Sequence, residues 1–239
     1  MKAIIIADAH LRGLEDPSQK TLEAFLDKLA DDPPNKLIIL GDLFDFWAGF
    51  NDVVYKEYAP TLLALLKLKE KGVKTIYFEG NHDFFMGSFF SDKLEADIYK
   101  KSAEITLNDK KLFLSHGDIV ETNPRYVFWR AFLRSFIARA ILALLGSRYS
   151  WQLAKKLSRE SGRYHGERPD IEKLYAPFVR EKIALGFDGV ILAHSHKATM
   201  EDIESGGHKG QYLNPGAWAE SRSYLVFESG QFKLERFSI

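Results

Sequence analysis

The sequence predicts an α/β fold in which a sheet is covered by helices, and three observations point there. Short apolar runs alternate with amphipathic helical patterns through the first half of the chain. Five such runs end in clusters of carboxylate, amide and imidazole groups. The 239 residues suffice for one substantial core, so residues 1–239 read as a single domain.

Ala3 to Ala7 is a short apolar run, expected as a buried strand. Leu22, Phe25, Leu26 and Leu29 follow at i, i+3, i+4 and i+7, one face of a helix that Asp31-Asp32-Pro33-Pro34 breaks. Lys36 to Leu40 is a second buried run. Residues from Tyr55 to Lys71 read as another helix, stopped by Gly72, and Lys74 to Phe78 and Lys111 to Leu114 as further strands. Between Thr122 and Arg168 the pattern changes. Tyr126 to Leu145 is a dense apolar helical stretch interrupted by Arg125, Arg130, Arg134 and Arg139 and ended by Gly146, and Trp151 to Gly162 resembles a second, more basic helix. Strands resume at Gly189 to Ala193, Gln211 to Asn214, Ser223 to Phe227 and Phe232 to Phe237. Residues 122–168 therefore read as a helical insertion into one α/β domain.

Composition removes several classes of function. Lys plus Arg number 33 and Asp plus Glu 33, so no bulk basic field invites nucleic acid, and no nucleic-acid partner is expected. The absence of cysteine removes disulfides, thiolate nucleophiles and Cys-ligated zinc, and it fits a reducing compartment. The N-terminal apolar run is too short for a signal peptide and leads straight into Asp8 and His10, so a cytoplasmic location is expected. Arginines break the apolar run of the insertion, which argues against a spanning helix. No oligomeric state is implied.

The chemistry lies where the strands end. Ile4-Ile5-Ile6-Ala7 leads to Asp8-Ala9-His10, and Leu37-Ile38-Ile39-Leu40 to Gly41-Asp42-Leu43-Phe44-Asp45. Ile76-Tyr77-Phe78-Glu79 leads to Gly80-Asn81-His82-Asp83, Leu112-Phe113-Leu114 to Ser115-His116-Gly117-Asp118, and Val190-Ile191-Leu192-Ala193 to His194-Ser195-His196. In open α/β sheets, ligands sit beyond the carboxyl ends of the strands, so the five clusters should converge. Carboxylate, imidazole and amide oxygen together suit divalent manganese, iron, cobalt or zinc. Two such ions, roughly 3.5–4 Å apart, can polarise a phosphoryl group and generate hydroxide at neutral pH. Gly41, Gly80 and Gly117 are expected to permit tight turns beside the ions. A lone Asp-x-His or His-x-His is more often surface or core hydrogen bonding. Here five of the seven histidines fall inside five ordered clusters, which decides for a metal site.

The set Asp8-x-His10, Gly41-Asp42, Gly80-Asn81-His82-Asp83, His116 and His194-x-His196 resembles the calcineurin-like metallophosphoesterase superfamily. The resemblance implies a β-sandwich flanked by helices, with the helical insertion as a lid. It implies one ion held by Asp8, His10, Asp42 and His196, and a second by Asp42, Asn81, His116 and His194, with Asp42 bridging. His82 would face the phosphate, stabilising charge or protonating the leaving oxygen, and Asp45 would orient it. The wording Ala7-Asp8-Ala9-His10-Leu11, Leu40 to Trp47, His82 to Gly87 and Gly216-Ala217-Trp218 is similar to the UDP-2,3-diacylglucosamine pyrophosphohydrolases of lipid A synthesis. That similarity implies cleavage of the diphosphate of a lipid-linked nucleotide to UMP and a lipid monosaccharide phosphate, with manganese as the usual metal. It also implies an acyl-chain lid, with peripheral contact to the inner membrane. Asn81, His82, Ser158 and Arg163 are the expected substrate contacts, with Ser161 nearby. His82 stands where that family commonly has arginine, and Ala193 where it commonly has glycine. Another lipid or nucleotide phosphodiesterase, or a non-catalytic scaffold, are the competing readings.

Overall fold

A computed structural model describes residues 1–49, 55–138, 140, 141, 144 and 171–238. The first strand, β1 (Lys2–Ile6), is followed by α1 (Pro17–Asp31), whose start is fixed by Asp16 accepting the N–H of Ser18, with Pro17 at its first position. Then come β2 (Lys36–Ile39), the two-residue β3 (Trp47–Ala48), α2 (Ala59–Glu70) and β4 (Lys74–Phe78). The short β5 (Asp83–Phe84) and β6 (Asp97–Tyr99) precede the hairpin of β7 (Ser102–Leu107) and β8 (Lys110–Ser115). Helices α3 (Pro124–Leu133) and α4 (Ile171–Ala184) come next. After them run β9 (Gly189–Ile191), β10 (Thr199–Ser205), β11 (His208–Asn214), α5 (Trp218–Ser221), β12 (Ser223–Glu228) and β13 (Gln231–Arg236).

Besides a two-stranded pairing of β3 with β5, the strands form two large sheets. One has the order β13-β12-β1-β2-β4-β6, with β1, β2, β4 and β6 parallel; the other has the order β10-β11-β9-β8-β7, with β8, β9 and β11 parallel. The expectation of one covered sheet is corrected to a sandwich, as the resemblance implied. Both faces of the central strands are buried, so a continuous apolar run reads the same whether its second face meets a helix or another sheet. In β1, Ile4 and Ile6 face α1 and α2, whereas Ala3 and Ile5 face the second sheet and pack with Leu112, Leu114, Ile191 and Leu213. The outer face of that second sheet is covered by Tyr175, Val179 and Ile183 of α4. The result is four layers, helix–sheet–sheet–helix.

Within 122–168 the structure describes only the first part. The single helix expected from Tyr126 to Leu145 is interrupted after Leu133: Arg134 caps α3, and the Ser135 hydroxyl accepts the N–H of Ala138 as helical residues resume at 136. The expected helix from Trp151 to Gly162 lies outside the described residues. No helix among the described residues is long and apolar enough to cross a membrane. His208 is exposed beside the Gly206–Gly207 hairpin turn.

Candidate metal centre

The five strand-end clusters meet at one edge of the sandwich. β1, β2 and β4 deliver Asp8, His10, Asp42 and Asn81 from one sheet, and β8 and β9 deliver His116, His194 and His196 from the other. The loops after β1 and β2 zip together: Asp8 N–H donates to the Gly41 carbonyl (3.2 Å) and His10 N–H to that of Asp42 (2.9 Å). Asp8, His10, Asp42, His194 and His196 all take left-handed backbone conformations, with φ between 44° and 63°. Such residues are costly without glycine and survive only where the surroundings fix them, so strain is concentrated at this edge.

Two groups of side chains converge. One carboxylate or ring-nitrogen atom from each of Asp8, His10 and His196 lies within 4.8 Å of the others, and the same holds for Asp42, His116 and His194. Asp42 stands between the groups: its Oδ2 is 3.9 Å from His10 Nε2 and 3.4 Å from His116 Nε2. Asn81 Oδ1 joins the second group at 3.2 Å from His116 Nε2. In the first, His10 Nε2 faces His196 Nε2 at 3.3 Å, while Asp8 Oδ1 is buried and accepts no hydrogen bond. A buried carboxylate oxygen without a donor, aimed among imidazole nitrogens, fits a divalent cation and little else.

The far sides of the His116 and His196 rings are tied down. His116 Nδ1 donates to the Leu40 carbonyl (2.7 Å), which leaves Nε2 turned to the centre; His196 Nδ1 meets the Glu220 carboxylate at 2.8 Å. Burial pushes the His10 imidazole down to about 3, so it stays neutral with a free lone pair. Burial opposes charge on His116 as well, but the Asp42 carboxylate against it outweighs this and raises it to about 10. Burial also disfavours charge on Asp42, yet His116 and His82 hold its carboxyl well below the usual range. Burial raises the Asp8 carboxyl to about 6, and Asp8 Oδ2 accepts the His194 N–H at 3.0 Å.

His82 stands over the first group, its ring centroid 4.9 Å from that of His10. Its Nδ1 contacts the main-chain carbonyl of Asp45 at 3.0 Å, so the backbone of that residue orients the ring. An Asp45 carboxylate oxygen also lies within 4.8 Å of nitrogens of both His82 and His10. Ser158, Ser161 and Arg163 lie outside the described residues.

Gly80 departs from the expected tight turn, and two sets of supporting contacts escaped the sequence reading. Gly80 does not take a left-handed turn as Gly41 and Gly117 do; a side chain there would collide with Asp42 Oδ1 and the Asp42 amide, so it is needed for close approach. Asp83, fully buried, accepts the N–H groups of Asp42 (3.0 Å), Leu43 (2.7 Å) and Gly80 (2.9 Å) and the Tyr77 hydroxyl (2.5 Å). It thereby locks the turn that carries Asp42 to the loop that carries Asn81. Asp118 is buried beside Arg130 and Arg134 of the α3 region, at 3.7 and 3.6 Å, and Arg134 also donates to the Gly80 carbonyl (2.9 Å). Spacing alone gives no signal for any of these tertiary partners.

A sandwich that gathers nitrogen and oxygen donors from both sheets at one edge is the architecture of a metal-dependent phosphoesterase, and the chain belongs to the calcineurin-like phosphoesterase family, whose model matches residues 1–198. It is 29% identical to the UDP-2,3-diacylglucosamine hydrolase of Stenotrophomonas maltophilia (strain K279a) over 98% of both chains. It is 27% identical to the protein of that name from Xanthomonas oryzae pv. oryzae (strain PXO99A), and 28% to that from Xanthomonas campestris pv. campestris (strain 8004), each over the whole of both chains. The chain is thus a phosphoesterase, of a family that implies divalent metal ions.

Proposed function

We propose that the chain hydrolyses the diphosphate of UDP-2,3-diacylglucosamine to UMP and a lipid monosaccharide phosphate. The observation that carries the metal chemistry is the pair of donor groups sharing Asp42, with Asp8 Oδ1 left without a donor. The substrate rests on relatives of that name that match over the full length. Asp8, His10, Asp42 and His196 would hold one ion and Asp42, Asn81, His116 and His194 the other, with manganese the metal the resemblance implies. Bound there, divalent ions supply Lewis acidity toward phosphoryl oxygens and a nucleophilic water at neutral pH.

The chain's own residues do the rest. The Asp45 carbonyl can only accept, so it keeps a proton on His82 Nδ1 and leaves Nε2 to handle the proton of the leaving oxygen or the charge on the phosphoryl group. Asn81, His82, Ser158 and Arg163 are the proposed substrate contacts. Residues 122–168 act as a lid within a single domain, and their described part supports contact with a lipid surface. α3 buries none of its residues, Phe128, Trp129, Phe136 and Ile137 are largely exposed, and Arg125 and Arg130 flank them. The proposed location is the cytoplasmic face of the inner membrane. One observation favours a second reading, a related lipid or nucleotide phosphodiesterase: His82 replaces the arginine that the resemblance leads one to expect.

The test is an assay of manganese-reconstituted protein on UDP-2,3-diacylglucosamine, with Asp8→Ala and His116→Ala as controls. Metal-dependent UMP release, abolished in both variants, is the expected result. Hydrolysis of an aryl phosphodiester without UMP release would overturn the substrate while leaving the site. Metal binding without hydrolysis of either would turn the reading to a scaffold.

A further inference from the structure

His194 and His196 both sit at φ +63°, with one serine between them. Two left-handed residues flanking a single position make a turn that the local chain does not favour, so outside contacts must hold it. His194 is held through its N–H to Asp8 Oδ2 (3.0 Å) and His196 through Nδ1 to Glu220 (2.8 Å). The residue between them is held from the opposite direction. Ser195 Oγ donates to Glu172 Oε1 at 2.5 Å, and accepts from Asn214 Nδ2 at 2.9 Å and, at 3.4 Å, from the N–H of Lys197. Glu172 lies in the first turn of α4, and the Tyr212 hydroxyl of β11 donates to its carboxylate at 3.2 Å. Hydrogen bonds to an ionised carboxylate are the stronger kind, and this one reaches the middle of the turn.

We propose that Glu172 is a positioning residue for the metal centre: through Ser195 it sets the turn that aims His194 and His196 at the two donor groups. The inference rests on the proposed ligand set. Glu172 thereby links α4 to histidines from both groups. A purely structural role would instead lie in the Glu172–Tyr212 contact, which staples α4 to the second sheet.

The experiment titrates metal-free protein with manganese by calorimetry and by the manganese electron-spin signal, alongside thermal melts without metal. Glu172→Ala and Ser195→Ala are each expected to weaken binding about 10- to 100-fold, the range for partners that orient metal ligands. The double variant is expected to be no weaker than either single one, and Ser195→Thr, which keeps the hydroxyl, to restore binding. Tyr212→Phe is expected to lower the melting temperature with manganese affinity held within about twofold, because it removes the staple and spares the turn. Glu172→Ala with wild-type affinity, or losses that add in the double variant, would overturn the inference alone. Wild-type protein that binds no manganese would overturn the ligand set and the inference with it.

Discussion

Replacing Asp83 by asparagine should destabilise the metal-free protein by about 3 kcal/mol, counting two lost charge-assisted hydrogen bonds at about 1.5–3 kcal/mol each. The carboxylate serves four close buried donors, Oδ1 taking the N–H groups of Asp42 and Gly80 and Oδ2 that of Leu43 and the Tyr77 hydroxyl, while the Phe44 N–H reaches Oδ2 at a longer 3.4 Å. An asparagine keeps one acceptor oxygen and turns an NH2 group against the other two donors. The lower end of the range applies because burial already disfavours the Asp83 charge, and the amide escapes that penalty. Urea unfolding in the presence of a chelator reads the loss as a shift in midpoint at constant slope. Tyr77→Phe removes a single donor, and its cycle with Asp83→Asn should show a coupling of about 1 kcal/mol or more. A loss below about 1 kcal/mol for Asp83→Asn, on the scale of one neutral hydrogen bond, would refute the view that this side chain locks the Asp42 turn.

Other outcomes follow from the same geometry. Gly80→Ala should leave a folded protein by circular dichroism but abolish manganese binding, since the new methyl group occupies the place of Asp42 Oδ1. Leu114→Ala, between the sheets, should cost about 2–5 kcal/mol in urea unfolding, whereas Leu63→Ala, largely exposed on α2, should cost under about 0.5 kcal/mol. Serine at both Phe128 and Trp129 should reduce co-sedimentation with anionic vesicles while the melting temperature holds, because neither side chain is buried. Manganese at 100 times its dissociation constant should stabilise the fold by about 2.7 kcal/mol, and a chelator should reverse the shift in melting temperature.

The strands that carry the site were legible because both of their faces are buried, which leaves apolar runs such as Ile4-Ile5-Ile6 and Val190-Ile191-Leu192 with polar residues just beyond. Their division between two sheets was not legible, since Ile5 and Ile6 look alike although one faces a sheet and the other a helix. The edge strands β6, β7 and β10 were missed for the opposite reason. In β10 most of Thr199–Ser205 is exposed or half-buried, so no apolar run marks it. α4 holds Pro177 within it, a residue that argues against helix, yet Tyr175, Val179 and Ile183 pack on the second sheet and tertiary burial prevails. At the site, residue types and strand-end placement singled out the side chains that converge. Their supports — Asp83, Glu172, Glu220 and the Asp45 carbonyl — come from elsewhere in the fold, and only the folded backbone shows which of many carboxylates reaches which turn.

The donor set straddles two sheets, and this bears on when a growing chain becomes a hydrolase. Asp8, Asp42 and Asn81 leave the ribosome early, but His194 and His196 follow more than a hundred residues after Asn81. On the proposed ligand set, a nascent chain that ends at β6 carries three of the four donors of one group and two of the four of the other, and would stay inert toward phosphate esters. Competence arrives in one step, when β9 is laid beside β8 and the second sheet closes against the first. Fragments cut before residue 194 would be silent for the same reason, so the ability to cleave certifies that the chain has been made at least through His196.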